Sequence, residues 1–149
     1  MMTQDEFEEM LADPDKRITQ DISWSPDEDS SPVLEFRVKV DSDADYPLII
    51  KGSYNSLAQT LSYSLIHRNC GRVYGLDIGT EHRNPDGEYV GTYHRHWWDE
   101  GWRDKLAYVP ENITASIADP VRVWEEFCKS IQIVHDGFIE DPQVPPELE

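Results

Sequence analysis

Alternation between apolar and polar residues constrains the fold of this chain more than any other feature of its sequence. Residues 33–40 (VLEFRVKV) change character at almost every position, which predicts a β-strand with one buried face. Four further strands are predicted over residues 46–53, 57–67, 72–79 and 88–97. The connections between them are short, so consecutive strands are expected to pair as an antiparallel meander of about five strands.

Asn84-Pro-Asp-Gly87 is the clearest turn signal between these strands. Proline presets φ at the second position of a turn, and glycine accepts the left-handed conformation at the fourth position. The four residues therefore predict a type I turn with a bulge. On this interpretation the turn closes a hairpin between the fourth and fifth strands.

Helical signals flank the predicted sheet. Thr3 and Glu6 have capping-box spacing ahead of a short apolar stripe, and a proline at position 14 ends that helix. Asp119 followed by Pro120 is typical of a second helix start, after which apolar residues recur at helical spacing up to Ile131. The chain is therefore predicted to be α+β, with a short N-terminal helix, the antiparallel sheet, and a C-terminal helix packed on one face.

Residues 1–139 are expected to form one domain, because a chain of 149 residues can bury a core of its own. Residues 140–149 (EDPQVPPELE) are acidic and rich in proline, so this tail is predicted to be disordered. The sequence contains no apolar run of membrane-spanning length and no signal pattern at its start. Its two cysteines, Cys70 and Cys128, fit no paired motif, which favours reduced thiols and a cytoplasmic location without a membrane partner.

The formal net charge of −17 is concentrated at the two ends of the chain. Residues 1–31 contain ten acidic and two basic residues, and residues 109–149 contain nine acidic and two basic residues. Residues 32–108 are nearly balanced, with eleven acidic and nine basic residues. One interpretation is a surface that keeps the protein soluble, including an adaptation to high salt, since there are only five lysines. The alternative is an acidic face that imitates nucleic acid and binds a basic protein partner.

Histidines are concentrated in residues 67–108. This segment contains four of the five histidines, which are His67, His82, His94 and His96. It also contains Trp97, Trp98 and Trp102. Histidine changes charge near neutral pH and is the commonest metal ligand, so a catalytic or metal-binding site is expected in this segment.

A metal site is one hypothesis for this segment. His94 and His96 are two positions apart on a predicted strand and project from one face, and Glu100 completes an HxHxxxE spacing that resembles the first metal motif of cupin barrels. The second cupin motif does not follow. A tight hairpin at the turn would also place His82 roughly 13 Å from His94, too far apart to share one metal. A metal would then require a sharply bent chain, or a carboxylate such as Asp77 or Glu100.

A metal-independent ribonuclease site is the second hypothesis. Cleavage at a 2′-hydroxyl needs a general base, a general acid and a cation for the developing charge. The candidate catalytic residues are His82, His94 and His96 for proton transfer, with Arg95 and Lys105 for charge stabilisation. The candidate residues for binding RNA or a nucleotide are Arg83, Trp97, Trp98, Arg103 and Tyr108. The third interpretation is structural, with the same side chains bonded to their neighbours on a sheet surface.

Three runs, HRNPDG, HRHWW and RDKLAY, resemble an uncharacterised prokaryotic family that is frequent on plasmids and other mobile elements and in archaea. The resemblance matches His82, the turn at residues 84–87, the pair His94 and His96, and the run at residues 104–108. The resemblance supports the choice of these residues as candidates for a functional site, and it assigns no reaction to them.

The leading functional prediction is therefore a small accessory protein of a mobile-element or defence locus. Its His, Arg and Trp segment would bind nucleic acid or a nucleotide, with RNase-like chemistry as one form of that activity. No cofactor is expected on this prediction. The alternatives are an acidic interaction module without catalysis, and a metal-binding domain that uses His94 and His96.

Overall fold

The computed structural model describes residues 2–111 and 113–143 of the chain. These residues form two helices, α1 (Gln4–Ala12) and α2 (Pro120–Ser130). The longer strands are β3 (Leu34–Ser42), β4 (Leu48–Asn55), β5 (Thr60–His67), β6 (Gly71–Ile78) and β9 (Tyr93–Trp97). The shorter strands are β1 (Lys16–Ile18), β2 (Ser25–Pro26), β7 (His82–Arg83), β8 (Tyr89–Val90), β10 (Ala107–Tyr108) and β11 (Ile133–His135).

Both predicted helices are confirmed, and their ends are fixed by local sequence. The Thr3 hydroxyl accepts a hydrogen bond from the Glu6 amide, and the Glu6 carboxylate accepts one from the Thr3 amide. At α2 the Asp119 carboxylate accepts from the Arg122 amide, and Pro120 occupies the first turn. These bonds satisfy amides that the helix itself leaves unpaired.

The α+β class is confirmed, but the sheet is larger than the five strands predicted. Its order is β10-β9-β6-β5-β4-β3-β1-β11, with β2 also paired to β3. Neighbouring strands are antiparallel, except that β1 and β11 are parallel. The additional strands are two or three residues long. Segments this short contain too few positions for alternation to be recognised.

Both helices pack on one face of the sheet, which we call the inner face. Tyr63 of β5 contacts Trp124 and Phe127 of α2, with ring centroids 5.2 and 5.7 Å apart. Phe7 of α1 meets the Trp97 ring at 5.5 Å in an edge-to-face arrangement. The apolar residues of the alternating strands therefore build the core on this side.

The opposite face, which we call the outer face, carries mainly polar residues, together with Ile49 and Ile66. The strand register places Arg37, Lys51, Ser64, Gly75 and His96 in one row across β3, β4, β5, β6 and β9. In β3, β4 and β5 the side chains on this face are half-buried or exposed. At β6 and β9 the outer face is covered instead, and this covered end contains the histidines.

Residues 88–97 do not form the single strand that was predicted. Gly91 and Thr92 separate β8 from β9, and β8 pairs with β7 in a separate two-stranded sheet that we call the ribbon (residues 82–90). The Asn84–Gly87 turn closes the ribbon. The Gly87 amide donates to the Asn84 carbonyl at 2.8 Å, and Gly87 has φ of 90°. The bulged type I turn is thus confirmed, but it joins β7 to β8 and not the fourth predicted strand to the fifth.

Only part of the predicted disordered tail falls within the described chain, because residues 144–149 lie outside it. The Glu140 backbone is bonded to the domain: its amide donates to the Ile22 carbonyl at 2.9 Å, and its carbonyl accepts from Trp24 Nε1 at 2.9 Å. Neither helix within the described residues has the length and apolar character needed to cross a membrane.

The two cysteines are expected to differ in reactivity. Cys128 is buried in α2, and burial raises the pKa of its thiol, whereas Cys70 is only partly buried. Because the thiolate is the reactive form, native protein treated with a chromogenic disulfide at neutral pH should release one equivalent of chromophore. Protein unfolded in guanidinium should release two. Rapid release of two equivalents from the native protein would show that α2 does not protect Cys128.

Candidate functional site

Two adjacent strands place a carboxylate opposite a pair of histidines. Asp77 of β6 is the register partner of His94 on β9, and Gly75 is the partner of His96. Alternation puts both histidines on the outer face, as predicted for a pair two positions apart. Both reach the same oxygen: His94 Nε2 lies 3.4 Å and His96 Nε2 3.2 Å from Asp77 Oδ2.

The ribbon brings His82 to this pair. The His82 ring centroid lies 4.6 Å from that of His96 and 5.6 Å from that of His94. One ring nitrogen from each of the three histidines lies within 4.8 Å of the others. The expected separation of roughly 13 Å is therefore wrong. It assumed that the turn joined the two sheet strands directly, whereas the chain bends after β6 and the ribbon folds back over the outer face.

Each of the three histidines also bonds a backbone carbonyl through its second ring nitrogen. His94 Nδ1 lies 2.9 Å from the Gly91 oxygen, His96 Nδ1 2.6 Å from the Asp104 oxygen, and His82 Nε2 2.6 Å from the Lys105 oxygen. A carbonyl only accepts, so each of these nitrogens must carry the proton. The bonds fix the ring orientations and direct the remaining nitrogen of His94 and of His96 at Asp77. Ligating histidines in metal sites are held in the same way.

The Asp77 carboxylate is held on its other side by an arginine and a serine. Arg72 donates from Nη2 to Oδ1 at 2.8 Å and from Nη1 to Oδ2 at 3.3 Å, and the Ser62 hydroxyl donates to Oδ1 at 2.8 Å. Gly75 makes this possible, since a Cβ at that position would overlap the Arg72 guanidinium. The cluster thus combines the three histidines, Asp77 and Arg72.

A bulge in β6 brings Arg72 to the outer face. The register between β5 and β6 shifts at Leu65 and Ile66, so that Leu65 pairs with Tyr74 and Ile66 pairs with Arg72. Val73 is left unpaired and buried within the bulge. Strict alternation would put Arg72 on the same face as Tyr74, but the inserted residue moves it to the face of Asp77.

The pKa values of the cluster reflect burial and charge together. Burial raises the pKa of Asp77, but hydrogen bonds from His94, His96 and Arg72 lower it more, so the net shift is downward and the carboxylate is ionised. Burial lowers the pKa of His94, and the bonds to Asp77 and to the Gly91 carbonyl reverse this, giving a net increase. The cluster therefore has a fixed negative charge directed at two imidazole nitrogens.

Those two nitrogens require a cation or a proton. A neutral imidazole has one ring proton, and in His94 and His96 it lies on Nδ1, which donates to a backbone carbonyl. A lone pair on Nε2 would therefore face the negative Asp77 Oδ2. A metal ion between the three atoms removes this conflict. Tetrahedral ligands at about 2.0–2.1 Å from a zinc ion lie roughly 3.3 Å from each other. The observed separations of 3.4 and 3.2 Å are compatible with that value, and they are also the distances of an ion pair between a protonated imidazole and a carboxylate.

The runs that carry the family resemblance bind one another around this cluster. The Asn84 side chain donates to the Ala107 carbonyl at 3.0 Å and accepts from the Ala107 amide at 2.8 Å. His82 and His96 bond the carbonyls of Lys105 and Asp104. The HRNPDG run thus holds the ribbon against the DKLAY run, and both cover the HxH pair.

Several predicted site residues lie away from the cluster. Arg95 is on the inner face, where its guanidinium lies 5.5 Å from the centre of the Trp97 ring. Trp97 also packs on Tyr74, and Trp98 is 0% exposed. Trp98 is enclosed by the core, and Trp97 is partly buried against Phe7 of α1 and Tyr74. The contact of Trp97 and Trp98 with bases stays a prediction.

Glu100 does not join the histidines. Its carboxylate accepts from the Gln4 amide at 2.6 Å and so binds the start of α1. Lys105 contributes its carbonyl to His82, while its side chain is exposed. Arg83 stacks on Tyr89 in the ribbon at 4.0 Å. Trp102, Arg103 and Tyr108 are exposed near the covered end of the sheet.

Arg72, Ser62 and Gly75 are the residues of this site that sequence reasoning missed, and Asp77 was named only as a carboxylate ligand that a metal would use if the chain did not bend. Asp77 could have been predicted, because it occupies a polar position in the alternating run RVYGLDIG. The next predicted strand carries His94 and His96. No comparable signal exists for Arg72, since the bulge that reorients it is not marked by glycine or proline.

Comparisons with known proteins place the chain in one family. No curated protein matches it, and no solved structure does. The model of a family of unknown function, DUF6978, matches residues 2–133, which include α1, the site and α2. The chain therefore belongs to the DUF6978 family of unknown function.

Proposed function

We propose that the protein binds one divalent transition-metal ion through His82, His94 and His96, with Asp77 as the fourth ligand. The observation that carries the proposal is the convergence of three ring nitrogens within 4.8 Å, in rings that each use one nitrogen to donate to a backbone carbonyl. Three neutral imidazoles oriented in this way bring lone pairs together, and three protonated ones bring positive charges together. They are well suited to ligate a cation.

The donor set favours zinc. Imidazole nitrogens suit Zn²⁺, Cu²⁺, Fe²⁺ and Ni²⁺, whereas Mg²⁺ and Ca²⁺ prefer oxygen ligands. Zinc takes four ligands in a tetrahedron without a redox requirement. The Arg72 guanidinium donates to Asp77 Oδ1 at 2.8 Å and at the longer distance of 3.3 Å to Oδ2, the oxygen that faces the histidines. It therefore orients the carboxylate as a single-oxygen ligand.

Burial supports a metal site over metal-independent RNA cleavage by the same histidines. His94 is 1% exposed and His96 5% exposed beneath the ribbon. A general acid or base must come within about 2.6–3.2 Å of the substrate atom that exchanges the proton. An RNA phosphate does not reach these rings unless the ribbon opens, while a bare ion needs only a narrow path. The acidic interaction module and the mobile-element setting remain predictions.

Zinc titration tests the proposal. Protein freed of metal with a chelator and titrated with Zn²⁺ in a calorimeter should bind one equivalent. Free zinc at 100 times its Kd should stabilise the fold by about 2.7 kcal/mol, which raises Tm by roughly 5–10 °C. Mg²⁺ at the same concentration should leave Tm unchanged. Absence of zinc binding, or an equal response to both ions, would overturn the proposal.

A further inference from the structure

The ribbon is attached to the main sheet without backbone pairing. Its strands, β7 and β8, contain two residues each and pair with each other. Within residues 2–111 and 113–143, no backbone hydrogen bond joins residues 82–90 to the main sheet. A two-stranded hairpin by itself is at best marginally stable in water. The position of the ribbon over the outer face therefore depends on its side chains.

The side-chain contacts between the ribbon and the rest of the domain are local. Asn84 exchanges two hydrogen bonds with the backbone of Ala107, and His82 bonds the Lys105 carbonyl. Val90 is buried, but it does not belong to the main hydrophobic core. The strand that carries Ala107, β10, is itself a two-residue strand at the edge of the sheet. Contacts of this kind open at a lower free energy than the core, so the ribbon can move as a separate unit.

The proposed metal ligands lie on both sides of the boundary between the ribbon and the main sheet. Asp77 is on β6, and His94 and His96 are on β9. His82 is the one ligand of the set that the ribbon supplies. An ion bound to all four residues joins the ribbon to the main sheet. Zinc sites with four protein ligands are structural, whereas catalytic sites keep one position open for water or substrate.

We propose that the bound ion is the latch of the ribbon. With the ion in place the ribbon is closed over the outer face at β6 and β9. After the ion is removed the ribbon opens, while the main sheet and both helices stay folded. Metal supply then decides whether solvent reaches His94 and His96, which are 1% and 5% exposed in the closed form. This inference rests on the proposed function, and it assigns the ion a structural role and not a catalytic one.

Hydrogen–deuterium exchange of the wild-type protein, with excess chelator or with Zn²⁺, tests the inference. In the closed ribbon the Asn84 and Gly87 amides donate to the carbonyls of Glu88 and Asn84. An open hairpin does not keep these bonds, so peptides that cover residues 82–90 should exchange at least about tenfold faster in chelator than in zinc. Peptides from β4 and β5 should stay protected in both states, because these strands are paired on both sides.

His82→Ala supplies a matched variant, because it removes the ligand on the ribbon and keeps the other three. In this variant zinc should slow the exchange of residues 82–90 by less than roughly twofold. His67→Ala removes a histidine outside the site and should keep the full effect of zinc on the ribbon. Circular dichroism checks that both variants are folded, and the wild-type comparison is decisive where one of them is not.

Two results would overturn the inference and leave the metal site standing, provided that calorimetry shows zinc binding by the same wild-type preparation. One is a ribbon that exchanges as slowly as β4 and β5 in chelator, which would show that it stays closed without an ion. The other is equal protection of the ribbon by zinc in the wild type and in His82→Ala. Failure of the wild type to bind zinc would refute the metal site and the latch together.

Discussion

Replacing His94 and His96 together by alanine should abolish stoichiometric zinc binding. Each substitution removes a nitrogen that lies within 3.4 Å of Asp77 Oδ2, and the double variant leaves only His82 and the carboxylate. Loss of residues that merely support a metal ligand costs 10-fold to 100-fold in affinity, so loss of two ligands should cost more than about 100-fold. The measurement is calorimetric titration with Zn²⁺, together with the metal content of dialysed protein.

A matched control separates ligand loss from general damage. His67→Ala also removes one histidine, but His67 lies at the end of β5 and its Nδ1 accepts from the Asn69 amide. That variant should retain one equivalent of zinc. Because His94 and His96 are buried, the double variant is first compared with the metal-free wild type by thermal melting. Full zinc binding by a folded double variant would contradict the assigned ligands.

Asp77→Asn provides a second test of the assigned ligands, and it preserves the volume of the side chain. The amide keeps the shape of the side chain, but it removes the negative charge and replaces one acceptor oxygen with a donor. Zinc affinity should fall at least tenfold in the folded protein. An unchanged affinity would mean that the three histidines alone bind the ion, and Asp77 would then be only a partner of Arg72.

The regular part of the fold could be predicted because its signals are local. Alternation in residues 33–40 and the capping residues at Thr3 and Asp119 depend on neighbours within a few positions. The wider sheet could not be predicted in the same way. β1 and β11 are distant in sequence, each has three residues, and their pairing depends on how the chain ends return to the domain.

The candidate site was predicted in composition but not in geometry. The pair His94 and His96 on one face followed from strand periodicity, which is a local rule. The position of His82 depended on which segments the Asn84–Gly87 turn connects, and a turn signal does not identify its partners. The turn and its bulge were correct, yet the distance built on them was wrong because the ribbon is separate from the main sheet.

Lys16→Met should cause a large loss of stability from a single substitution away from the site. Lys16 is 1% exposed, and its ammonium donates to three carbonyls at the end of α1, those of Met10, Leu11 and Asp13, at 2.6–2.8 Å. Burial lowers its pKa to about 8, which is still above neutral pH, so the group carries three protons to donate. Methionine has similar length and supplies none of them.

The unsatisfied carbonyls set the size of this effect. A buried polar group that loses its hydrogen-bond partner costs about 1–3 kcal/mol, and three carbonyls lose theirs in this variant. Because the substitution also removes a buried charge, whose desolvation is unfavourable, part of this total cost is offset. We therefore expect the free energy of unfolding in urea to fall by about 3 kcal/mol with an unchanged m-value, and Tm to fall by roughly 10 °C. Lys39→Met, at an exposed position of β3, should change stability by less than about 0.5 kcal/mol. A loss below about 1 kcal/mol for Lys16→Met would mean that water reaches the α1 carbonyls, and that the helix does not depend on Lys16 to hold its end against β1.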